Sequence, residues 1–380
     1  MKKLKILYNF RPGYDIDKTG IPFFVKNLYH ALLNKPEISL SRFGIDSSGC
    51  RKWNSCRFFS LKSTCLTWKL CKFFTLAHII NRTLLLPLKL SFGKYDFYIE
   101  NETFFLPLYK PRHTKTITVI HDIGPILFNH IQTKKVTRLF HLLLPVSLKN
   151  SDYIVTVSES SKQDIERYLQ SLNQKKEVFV IYNDSTLDNH NDADPLSTLQ
   201  KFNITDEYFL FLGTLEPRKN PLNTVKAFQR FKMNYPDNPI KLVFAGRKGW
   251  LYDDVIDYIE HNGLHSEIIF TGYISDEEKY VLLKHAKAFL FLSIYEGFGI
   301  PPLEALKLGT PCLLSDIPVF HELFEDNALY VPYDNLNIIA EGMNTILNHP
   351  PKIDPELFEK FSWDKSAEKL IQFMKDKTES

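Results

Sequence analysis

Residues 291–311 of the chain read FLSIYEGFGIPPLEALKLGTP, which joins an apolar strand pattern to a helix pattern through a short loop. The strand is predicted to end at Ser293. Gly297 and Gly299 carry no Cβ atom, so the backbone of the loop can come close to a ligand. The two prolines that follow suit the first positions of a helix, where a backbone N–H has no partner within the helix.

Two carboxylates, Glu296 and Glu304, lie eight positions apart in this segment. Glu296 belongs to the glycine-containing loop, and Glu304 is predicted to lie in the first turn of a helix over residues 301–307. The positive end of a helix and its unpaired N–H groups favour a bound anion. Such a site suits an anion that also carries hydroxyl groups, and a sugar nucleotide has both.

The pair of carboxylates resembles the Glu-x7-Glu signature of retaining nucleotide-sugar glycosyltransferases of the GT-B fold, in particular family 4. Further motifs follow that family's order over roughly the last half of the chain, whereas the first half matches more thinly. These motifs are GTLEPRKNP at 213–221, which resembles the phosphate-binding turn, AGRKGW at 245–250 and TGYISDEE at 271–278, which resemble the nucleotide-side segments, and FSWDKSA at 361–367, which resembles the closing helix.

The resemblance implies an α/β chain with the GT-B fold, in which two Rossmann-like parallel-sheet domains face each other across a cleft. It implies an acceptor-binding domain over residues 1–185, a linker over 186–200 and a nucleotide-sugar-binding domain over 201–360. A C-terminal helix over 361–380 is expected to pack back on the first domain. The residue pattern agrees, because short apolar strands that alternate with helices predict parallel sheets. Residues 183–197, rich in Asn and Asp, predict a linker.

The implied activity is a retaining, metal-independent transfer of a mannose- or rhamnose-type hexose from a nucleotide diphosphate sugar, with GDP-mannose the favoured donor. The acceptor would be a glycan or a lipid-linked oligosaccharide in the biosynthesis of lipopolysaccharide or another bacterial surface polysaccharide. No cofactor is expected. A dinucleotide-dependent oxidoreductase would share the alternating pattern, but no Gly-x-Gly-x-x-Gly follows any predicted strand. A catalytically silent sugar-nucleotide-binding protein of the same fold stays a second interpretation.

Arg218 and Lys219 come directly after a predicted strand, and Asn220 and Pro221 suit the N-cap and the first position of the next helix. Two cations and the N–H groups of a helix start can hold a diphosphate, on which negative charge grows as its bond to the sugar breaks. The alternative is a surface turn with two solvated bases. We expect Lys219 to lie in an exposed turn, where its replacement would change the melting temperature little.

The resemblance assigns separate roles to the two carboxylates: Glu296 binds hydroxyl groups of the sugar as a catalytic residue, and Glu304 binds those of the ribose. The alternative for Glu304 is an acidic residue that only stabilises a helix N-terminus. Thr214 stands where many family members carry Arg, which makes Arg247 a further candidate for phosphate binding. The other positions that the resemblance places at the donor are Gly20, Gly213, Tyr273, Phe298, Gly299 and Ile300.

His121 follows a predicted strand over residues 116–120. It is expected to face the cleft, where its ring could bond a sugar hydroxyl or the acceptor as a catalytic residue. The alternative is a buried structural histidine next to an aspartate.

Two patterns, Asp15-x-Asp17 and Asp192-x-Asp194, match the Asp-x-Asp of metal-dependent glycosyltransferases. Neither ends a nucleotide-binding strand, so both are interpreted as loop acids, and no catalytic metal is expected. The five cysteines lack the spacing of metal ligands, and reduced thiols in a cytosolic protein are expected.

Residues 51–94 carry nine basic and no acidic side chains, with Trp and Phe interleaved among them. This mixture suits an anionic bilayer surface. The alternatives are a basic solvated face over core aromatics and a single-stranded nucleic acid site, although no nucleic acid partner is expected. Neither a signal peptide nor a membrane-spanning helix is expected. The sequence therefore predicts a cytoplasmic protein that binds peripherally to the inner face of the cytoplasmic membrane.

Overall fold

The computed structural model of the protein describes residues 3–10, 20–43, 80–185, 187, 194–247, 249 and 252–379. The chain forms two compact units. The first comprises Met1–Ile126, Lys135–Asn183 and Ser362–Ser380, and the second comprises Leu127–Lys134 and Asp184–Phe361. Each unit is built on its own six-stranded sheet.

The strands of both sheets pair in parallel. The order is β2-β1-β3-β4-β5-β6 in the first unit and β12-β11-β10-β7-β8-β9 in the second. The strands are β1 Leu4–Asn9, β2 Ile38–Phe43, β3 Phe97–Glu100, β4 Lys115–Val119, β5 Tyr153–Thr156, β6 Glu177–Val180, β7 Tyr208–Leu212, β8 Lys241–Ala245, β9 Ile268–Gly272, β10 Ala288–Phe291, β11 Cys312–Ser315 and β12 Leu329–Val331.

Helices connect the strands and cover the sheets. They are α1 Gly20–Leu33, α2 Leu86–Phe92, α3 Gly124–Leu127, α4 Lys134–Asn150, α5 Glu159–Ser171, α6 Pro195–Lys201, α7 Pro221–Asn234, α8 Asp253–His261, α9 Asp276–His285, α10 Ile300–Lys307, α11 Pro318–Phe324, α12 Leu336–Asn348 and α13 Trp363–Glu379. A π-helix, Asn81–Leu85, leads into α2, and short 3₁₀ turns lie at Asn129–Ile131, Pro217–Lys219, Glu325–Asn327 and Pro355–Lys360.

The central strands are apolar on both faces because helices cover both sides of each sheet. Strands β3 and β10 are buried at every position. In the second unit, β7 and α7 supply phenylalanines to one core, in which Phe209 packs against Phe228 and Phe231. These aromatic residues fix the sheet and α7 relative to each other, and so fix the turn between β7 and α7.

Each sheet has a point at which the chain changes direction along the strand order. In the second sheet the chain runs from β7 through β8 to β9 and then crosses to β10, which pairs with the other edge of β7 through Phe289 and Leu210. In the first sheet the corresponding point lies between β1 and β3, where Ile6 pairs with Phe97. Ligands of open parallel sheets bind at the carboxyl ends of the strands at such a point.

Helix α13, at the end of the chain, packs within the first unit. The Trp363 ring lies edge-on to Phe24 with centroids 5.7 Å apart, and the Phe373 ring stacks on Phe179 at 4.6 Å. The Ser366 hydroxyl donates to the carbonyl of Tyr182 at 2.6 Å. The last helix therefore contributes to the core of the unit that begins the chain.

The predicted fold class of parallel α/β sheets is confirmed, and several elements coincide with their predictions. The sequence pattern predicts a strand over 208–212 and helices over 221–234 and 276–285, and β7, α7 and α9 have these bounds. Ser158 caps α5, because its hydroxyl accepts from the backbone N–H of Ser161 at 3.0 Å. The facing of two domains across a cleft stays a prediction.

Other predictions were wrong in detail. Strand β2 and helix α4 were not predicted. Helix α6 begins at Pro195, inside the predicted linker, and the Asp194 carboxylate caps it by accepting from the N–H of Leu196 at 3.1 Å. Helix α10 begins at Ile300, which places Glu304 in its second turn and not in the first. Across the residues that the structure describes, no helix is both long and apolar enough to cross a bilayer.

Candidate active site

Three charged side chains meet at the switch point of the second sheet. Arg218 and Lys219 follow β7, and Glu296 follows β10, the strand that pairs with β7. The Arg218 Nη1 atom lies 2.7 Å from Oε2 of Glu296, and the Lys219 Nζ atom lies 2.8 Å from Oε1. The structure thus brings three of the predicted catalytic residues into one cluster, which we call the ion trio.

The backbone holds the ion trio in place. Arg218 and Lys219 lie in a 3₁₀ turn that leads to Asn220, whose backbone is left-handed at φ 59°. The N–H of Ile294 donates to the carbonyl of Arg218 at 2.8 Å, which ties the turn after β7 to the loop after β10. Asn220 precedes α7 as predicted, but its side chain does not cap the helix and donates to the carbonyl of Tyr333 at 2.7 Å.

Glu216 and the loop carbonyls orient the Arg218 guanidinium. Its Nε donates to Glu216 Oε1 at 3.1 Å, its Nη2 lies 2.9 Å from the same oxygen, and its Nη1 donates to the carbonyl of Tyr295 at 3.0 Å. The planar fork of arginine donors is therefore held at both ends. The sequence analysis did not identify Glu216, although its position within the GTLEPRKNP motif was a signal.

The ion trio is buried, which corrects the expectation that Lys219 lies in an exposed turn. The side chains of Lys219 and Glu296 are 11% and 10% exposed, and the Lys219 Nζ atom lies 4.1 Å from the centroid of the Phe291 ring. Burial lowers the pKa of Lys219 from its ordinary value, against the pull of Glu296. Burial would raise the pKa of Glu296, but the charges of Arg218 and Lys219 outweigh it and lower the pKa to about 2. Glu296 is therefore ionised at neutral pH.

The turns after β7, β8 and β9 lie side by side next to the ion trio. The N–H of Gly213 donates to the carbonyl of Ala245, and the N–H of Gly246 donates to that of Gly272, both at 2.9 Å. Gly246 has φ 144°, and a Cβ atom there would lie 2.1 Å from the Gly213 carbonyl oxygen. Only glycine permits this approach of two backbones. Gly213 itself has φ 143°.

Arg247 and Tyr273 form a stacked pair at the ends of β8 and β9. The Arg247 guanidinium carbon lies 4.7 Å from the centroid of the Tyr273 ring, and Tyr273 is 63% exposed. An exposed ring with a cation over one face offers a platform to a second planar group. Thr214, in the neighbouring turn, is exposed.

Glu304 pairs with a cation that the sequence analysis missed. Its Oε1 atom lies 2.7 Å from the Nζ of Lys279, which belongs to α9. Glu304 is buried on α10, and Lys279 is partly buried. The two residues are 25 positions apart, and the sequence offers no local signal that joins them.

The loop before α10 packs closely against the Phe320 ring at Gly299. Its φ is 122°, and a Cβ atom there would lie 2.9 Å from the Phe320 ring, so the position requires glycine. The Phe298 side chain is buried and lies edge-on to Phe361. A donor contact at Phe298 stays a prediction. Ile300, the first residue of α10, is partly exposed.

The remaining predicted site residues lie in the first unit. His121 follows β4, its ring lies edge-on to Phe24 at 4.7 Å, and burial lowers its pKa to about 4. Its Nε2 atom is buried and has no hydrogen-bond partner among the residues that the structure describes. Gly20 is the exposed first residue of α1 and has φ 54°. A catalytic role for His121 and a donor contact for Gly20 stay predictions.

A buried carboxylate, Glu100, lies at the switch point of the first sheet and was not predicted as a site residue. The Tyr98 hydroxyl and the N–H of Glu102 each donate to it at 2.9 Å, and Asn9 and Arg82 also bind it. Burial raises the pKa of Glu100, against the positive charge of Arg82. These bonds hold the end of β3 to the end of β1.

Several predictions fall outside the described residues. They concern Asp15-x-Asp17, Asp192, most of the basic segment 51–94, and the four cysteines before residue 72. Asp194 is described and caps α6. Within the described ranges, no group of His, Cys, Asp and Glu side chains is arranged to hold a metal ion.

Comparison with known proteins finds a matching family model and similar sequences. Residues 198–359 match the family model described as Glycosyl transferases group 1. O-antigen chain mannosyltransferase B of Escherichia coli is 29% identical over 250 residues, which is 64% of this chain and 64% of that protein. O-antigen chain mannosyltransferase RfbU of Salmonella typhimurium is 34% identical over 242 residues, 63% of this chain and 62% of that protein. Both alignments thus span just under two thirds of the relatives' length.

The fold also has counterparts among solved structures. The sucrose-phosphate synthase of Thermosynechococcus elongatus superposes with a TM-score of 0.70 over 98% of this chain and 99% of that one, at 18% identity. At that identity the likeness concerns the fold alone, and the fold is GT-B.

Proposed function

We propose that the protein is a retaining, metal-independent hexosyltransferase, because residues 198–359 match the glycosyl transferases group 1 family model. It moves a mannose- or rhamnose-type sugar from a nucleoside diphosphate to a lipid-linked or oligosaccharide acceptor in surface polysaccharide biosynthesis. The observation that carries the proposal is the ion trio at the switch point of the second sheet. Two fixed cations and an ionised carboxylate match a ligand that has phosphates and hydroxyl groups next to each other.

The diphosphate of the donor binds Arg218 and Lys219 in this proposal. When the bond between the anomeric carbon and the phosphate oxygen breaks, that oxygen gains negative charge. Cations that are already oriented and shielded from water stabilise this charge more than they stabilise the bound donor, and so they accelerate the reaction. Glu216 keeps Arg218 oriented before the donor arrives.

The two carboxylates divide the hydroxyl groups of the donor between them. Glu296, ionised at neutral pH, accepts hydrogen bonds from the sugar. Glu304 accepts from the ribose, and its ion pair with Lys279 fixes the position of its carboxylate. Glu296 and Glu304 thus bind the two ends of the same ligand.

The nucleobase stacks on the Tyr273 and Arg247 pair. Tyr273 is an exposed aromatic residue that follows β9, and the turn after β8, which carries Arg247, lies between it and the turn that carries Gly213 and Thr214. Guanine is the base that we propose, with mannose as the sugar, because the relatives named above are mannosyltransferases.

The acceptor binds the first unit, and His121 is the proposed contact. Its pKa of about 4 leaves the ring neutral at physiological pH, so one ring nitrogen accepts a hydrogen bond. The buried Nε2 atom without a described partner is consistent with that role. A lipid-linked acceptor places the enzyme at the inner face of the cytoplasmic membrane, on an anionic surface.

The test combines ligand binding with product formation. In a thermal-shift panel of GDP, UDP, dTDP and ADP, we expect GDP to raise the melting temperature most, since a ligand at a hundred times its Kd stabilises by about 2.7 kcal/mol. GDP-mannose with a lipid-linked oligosaccharide should then release GDP and extend the glycan. Tyr273→Ala should weaken GDP binding, with the exposed Tyr109→Ala as a matched control. Nucleotide binding without any transfer would indicate a silent binder, and no nucleotide binding would refute the proposal.

A further inference from the structure

The exposed apolar side chains of the protein are concentrated on one part of the first unit. Ten of the seventeen large apolar residues that are exposed in the described chain lie between residues 80 and 146 of this unit, which marks this part as an interaction surface. The largest exposures are 82% at Phe92, 71% at Leu108 and 64% at Leu142. None of these three residues belongs to the site described above.

Helix α4 exposes an apolar stripe flanked by bases. Leu139, Leu142 and Val146 are exposed, whereas Leu144 and Leu148 are buried on the opposite side. At 3.6 residues per turn, the three exposed apolar residues fall within about 60° of the helix circumference. The basic residues Lys135, Arg138 and Lys149 are exposed beside them. The helix contains no acidic residue.

Helix α2 and the segment that follows β3 extend the stripe. Leu84, Leu88 and Phe92 are exposed at intervals of four residues along the π-helix and α2, so they share one side. The N–H of Leu108 donates to the carbonyl of Thr83 at 2.9 Å, and the hydroxyls of Ser91 and Tyr109 are 2.9 Å apart. Residues 103–109 therefore lie along α2.

The same segment lies along α4. The rings of Phe104 and Phe140 meet edge-on with centroids 5.1 Å apart. The N–H of Phe105 donates to the Ser147 hydroxyl at 2.8 Å, and that hydroxyl donates to the carbonyl of Thr103 at 2.7 Å. The two helices and the segment between them thus form one continuous face, which we call the α2–α4 surface.

The charge of this surface has one sign. No acidic residue between positions 80 and 150 is exposed: Asp96, Glu102 and Asp122 are partly buried, and Glu100 is fully buried. Six basic residues of the first unit are exposed over the same range, namely Lys89, Lys94, Arg112, Lys135, Arg138 and Lys149. An anionic partner is therefore favoured, and a basic one is repelled.

We infer that the α2–α4 surface docks the protein on an anionic lipid bilayer, with the leucines of α4, Leu108 and Phe92 inserted among the acyl chains. Exposed leucine and valine side chains next to lysines suit a bilayer interface, whereas single-stranded nucleic acid is bound through stacked aromatic side chains. Residues 47–79 carry basic and no acidic side chains, so their charge does not complement that of this surface. The inference deepens the proposed function and rests on it for its meaning, since a lipid-linked acceptor lies in such a bilayer.

The experiment measures co-sedimentation of the full chain with vesicles. The parent should bind vesicles of mixed phosphatidylglycerol and phosphatidylcholine at low salt, and it should bind phosphatidylcholine alone poorly. The triple variant Lys135→Glu/Arg138→Glu/Lys149→Glu should lose roughly a hundredfold in partitioning, at about fivefold for each charge near an anionic surface. The control Arg230→Glu/Lys284→Glu/Lys352→Glu reverses three exposed charges of the second unit and should bind like the parent.

A second pair of variants tests insertion of apolar side chains. Leu142→Asp should reduce vesicle binding at least tenfold, whereas Met233→Asp, at a residue of the second unit that is 73% exposed, should not. Equal binding by parent and variants, or equal losses in the controls, would overturn the inference. So would a dimer of the parent that Leu142→Asp dissociates, a melting temperature that Leu142→Asp lowers by several degrees, or tighter binding to a homopolymeric RNA than to anionic vesicles.

Nucleotide binding separates this inference from the proposed function. The triple variant should bind GDP with the affinity of the parent in calorimetry without vesicles. A parent that binds GDP but no vesicles would refute the docking surface alone. A parent that binds vesicles in the expected pattern but no nucleotide would refute the proposed function and leave the surface in place.

Discussion

Replacing Lys219 by Met, Glu296 by Gln, and both together tests whether the ion trio stabilises the second unit as a coupled group. Methionine keeps most of the length of lysine over the Phe291 ring, and glutamine keeps the shape of glutamate. The two charged atoms are 2.8 Å apart, and both side chains are about nine-tenths buried. Lys219→Met therefore leaves the Glu296 carboxylate with one cation fewer, and Glu296→Gln leaves the Lys219 ammonium without its carboxylate.

The expected magnitudes follow from the pKa of Glu296. A shift from 4.5 to about 2 corresponds to about 3 kcal/mol at neutral pH, at about 1.4 kcal/mol per pH unit. Arg218 and Lys219 share this stabilisation, so Lys219→Met should cost about 1–2 kcal/mol. Glu296→Gln leaves Lys219 without its counter-charge and leaves Arg218 with Glu216 alone, and it should cost about 3–5 kcal/mol. The double variant removes both the carboxylate and the lysine charge. Its loss in free energy of unfolding should therefore be smaller than the sum of the two single losses by about 1–3 kcal/mol.

Scanning calorimetry measures these losses, with the transition of the second unit assigned by its shift when GDP is added to the parent. The control cycle uses Lys287→Met and Glu207→Gln, an ion pair of the same unit with both partners largely exposed. Its coupling should be at most about 1 kcal/mol. If the Lys219 and Glu296 losses add as completely as those of the control, the reasoning about the ion trio is refuted.

Three further predictions concern the ligands and the pH. In calorimetry, Glu304→Gln should weaken GDP binding, and Glu296→Gln should leave it nearly intact while it depresses transfer; equal losses would contradict the division of roles. Turnover should survive excess EDTA because arginine and lysine supply the charge stabilisation, and a loss that magnesium or manganese restores would show a metal requirement. The folded pKa of His121 is about 4 and its ordinary value is 6.5, so the unfolded state binds more protons between these pH values. The melting temperature of the first unit should therefore fall as the pH drops from about 6.5 to 4, and His121→Gln should flatten that fall, whereas an unchanged slope would contradict the burial of a neutral ring.

The sequence predicted best those elements whose residues form a local pattern. Strand β7 is a run of five residues bounded by charged and glycine positions, and α7 begins with a proline after the turn. Both were located correctly, as were the motifs that carry Arg218, Lys219 and Glu296. The resemblance to the glycosyltransferase family identified these motifs, and their residues lie within nine positions of a strand end.

Helix α4 escaped prediction for a physical reason. Leucines on opposite sides of the helix, buried Leu144 and exposed Leu142, blur the helical period that identifies an amphipathic segment. Pro145 lies inside the helix and argues against one. The exposed apolar face of α4 made the helix difficult to predict from the sequence. The same face is the reason for proposing a lipid bilayer as its partner.

The burial of Lys219 and the pairing of Lys279 with Glu304 lie beyond any local pattern. The burial of Lys219 depends on Phe291 and Glu296. These residues lie next to the turn after β7 only because β10 pairs with β7, although β8 and β9 come between them in the chain. The pairing of Lys279 with Glu304 joins α9 to α10. Both are consequences of the strand order, which single-sequence periodicity does not give.

The carboxylate of Glu296 also screens the two cations from small inorganic anions. A sulfate ion that approached Arg218 and Lys219 would have to displace an ionised, buried carboxylate that lies 2.7 and 2.8 Å from them. The sulfate ion has no hydroxyl group that could bind the displaced carboxylate of Glu296. Displacement would therefore leave that buried charge without a partner, which is costly. A sugar nucleotide brings phosphates and hydroxyls together and satisfies all three charges in one step. The ion trio therefore favours ligands of that composite kind over simple inorganic anions.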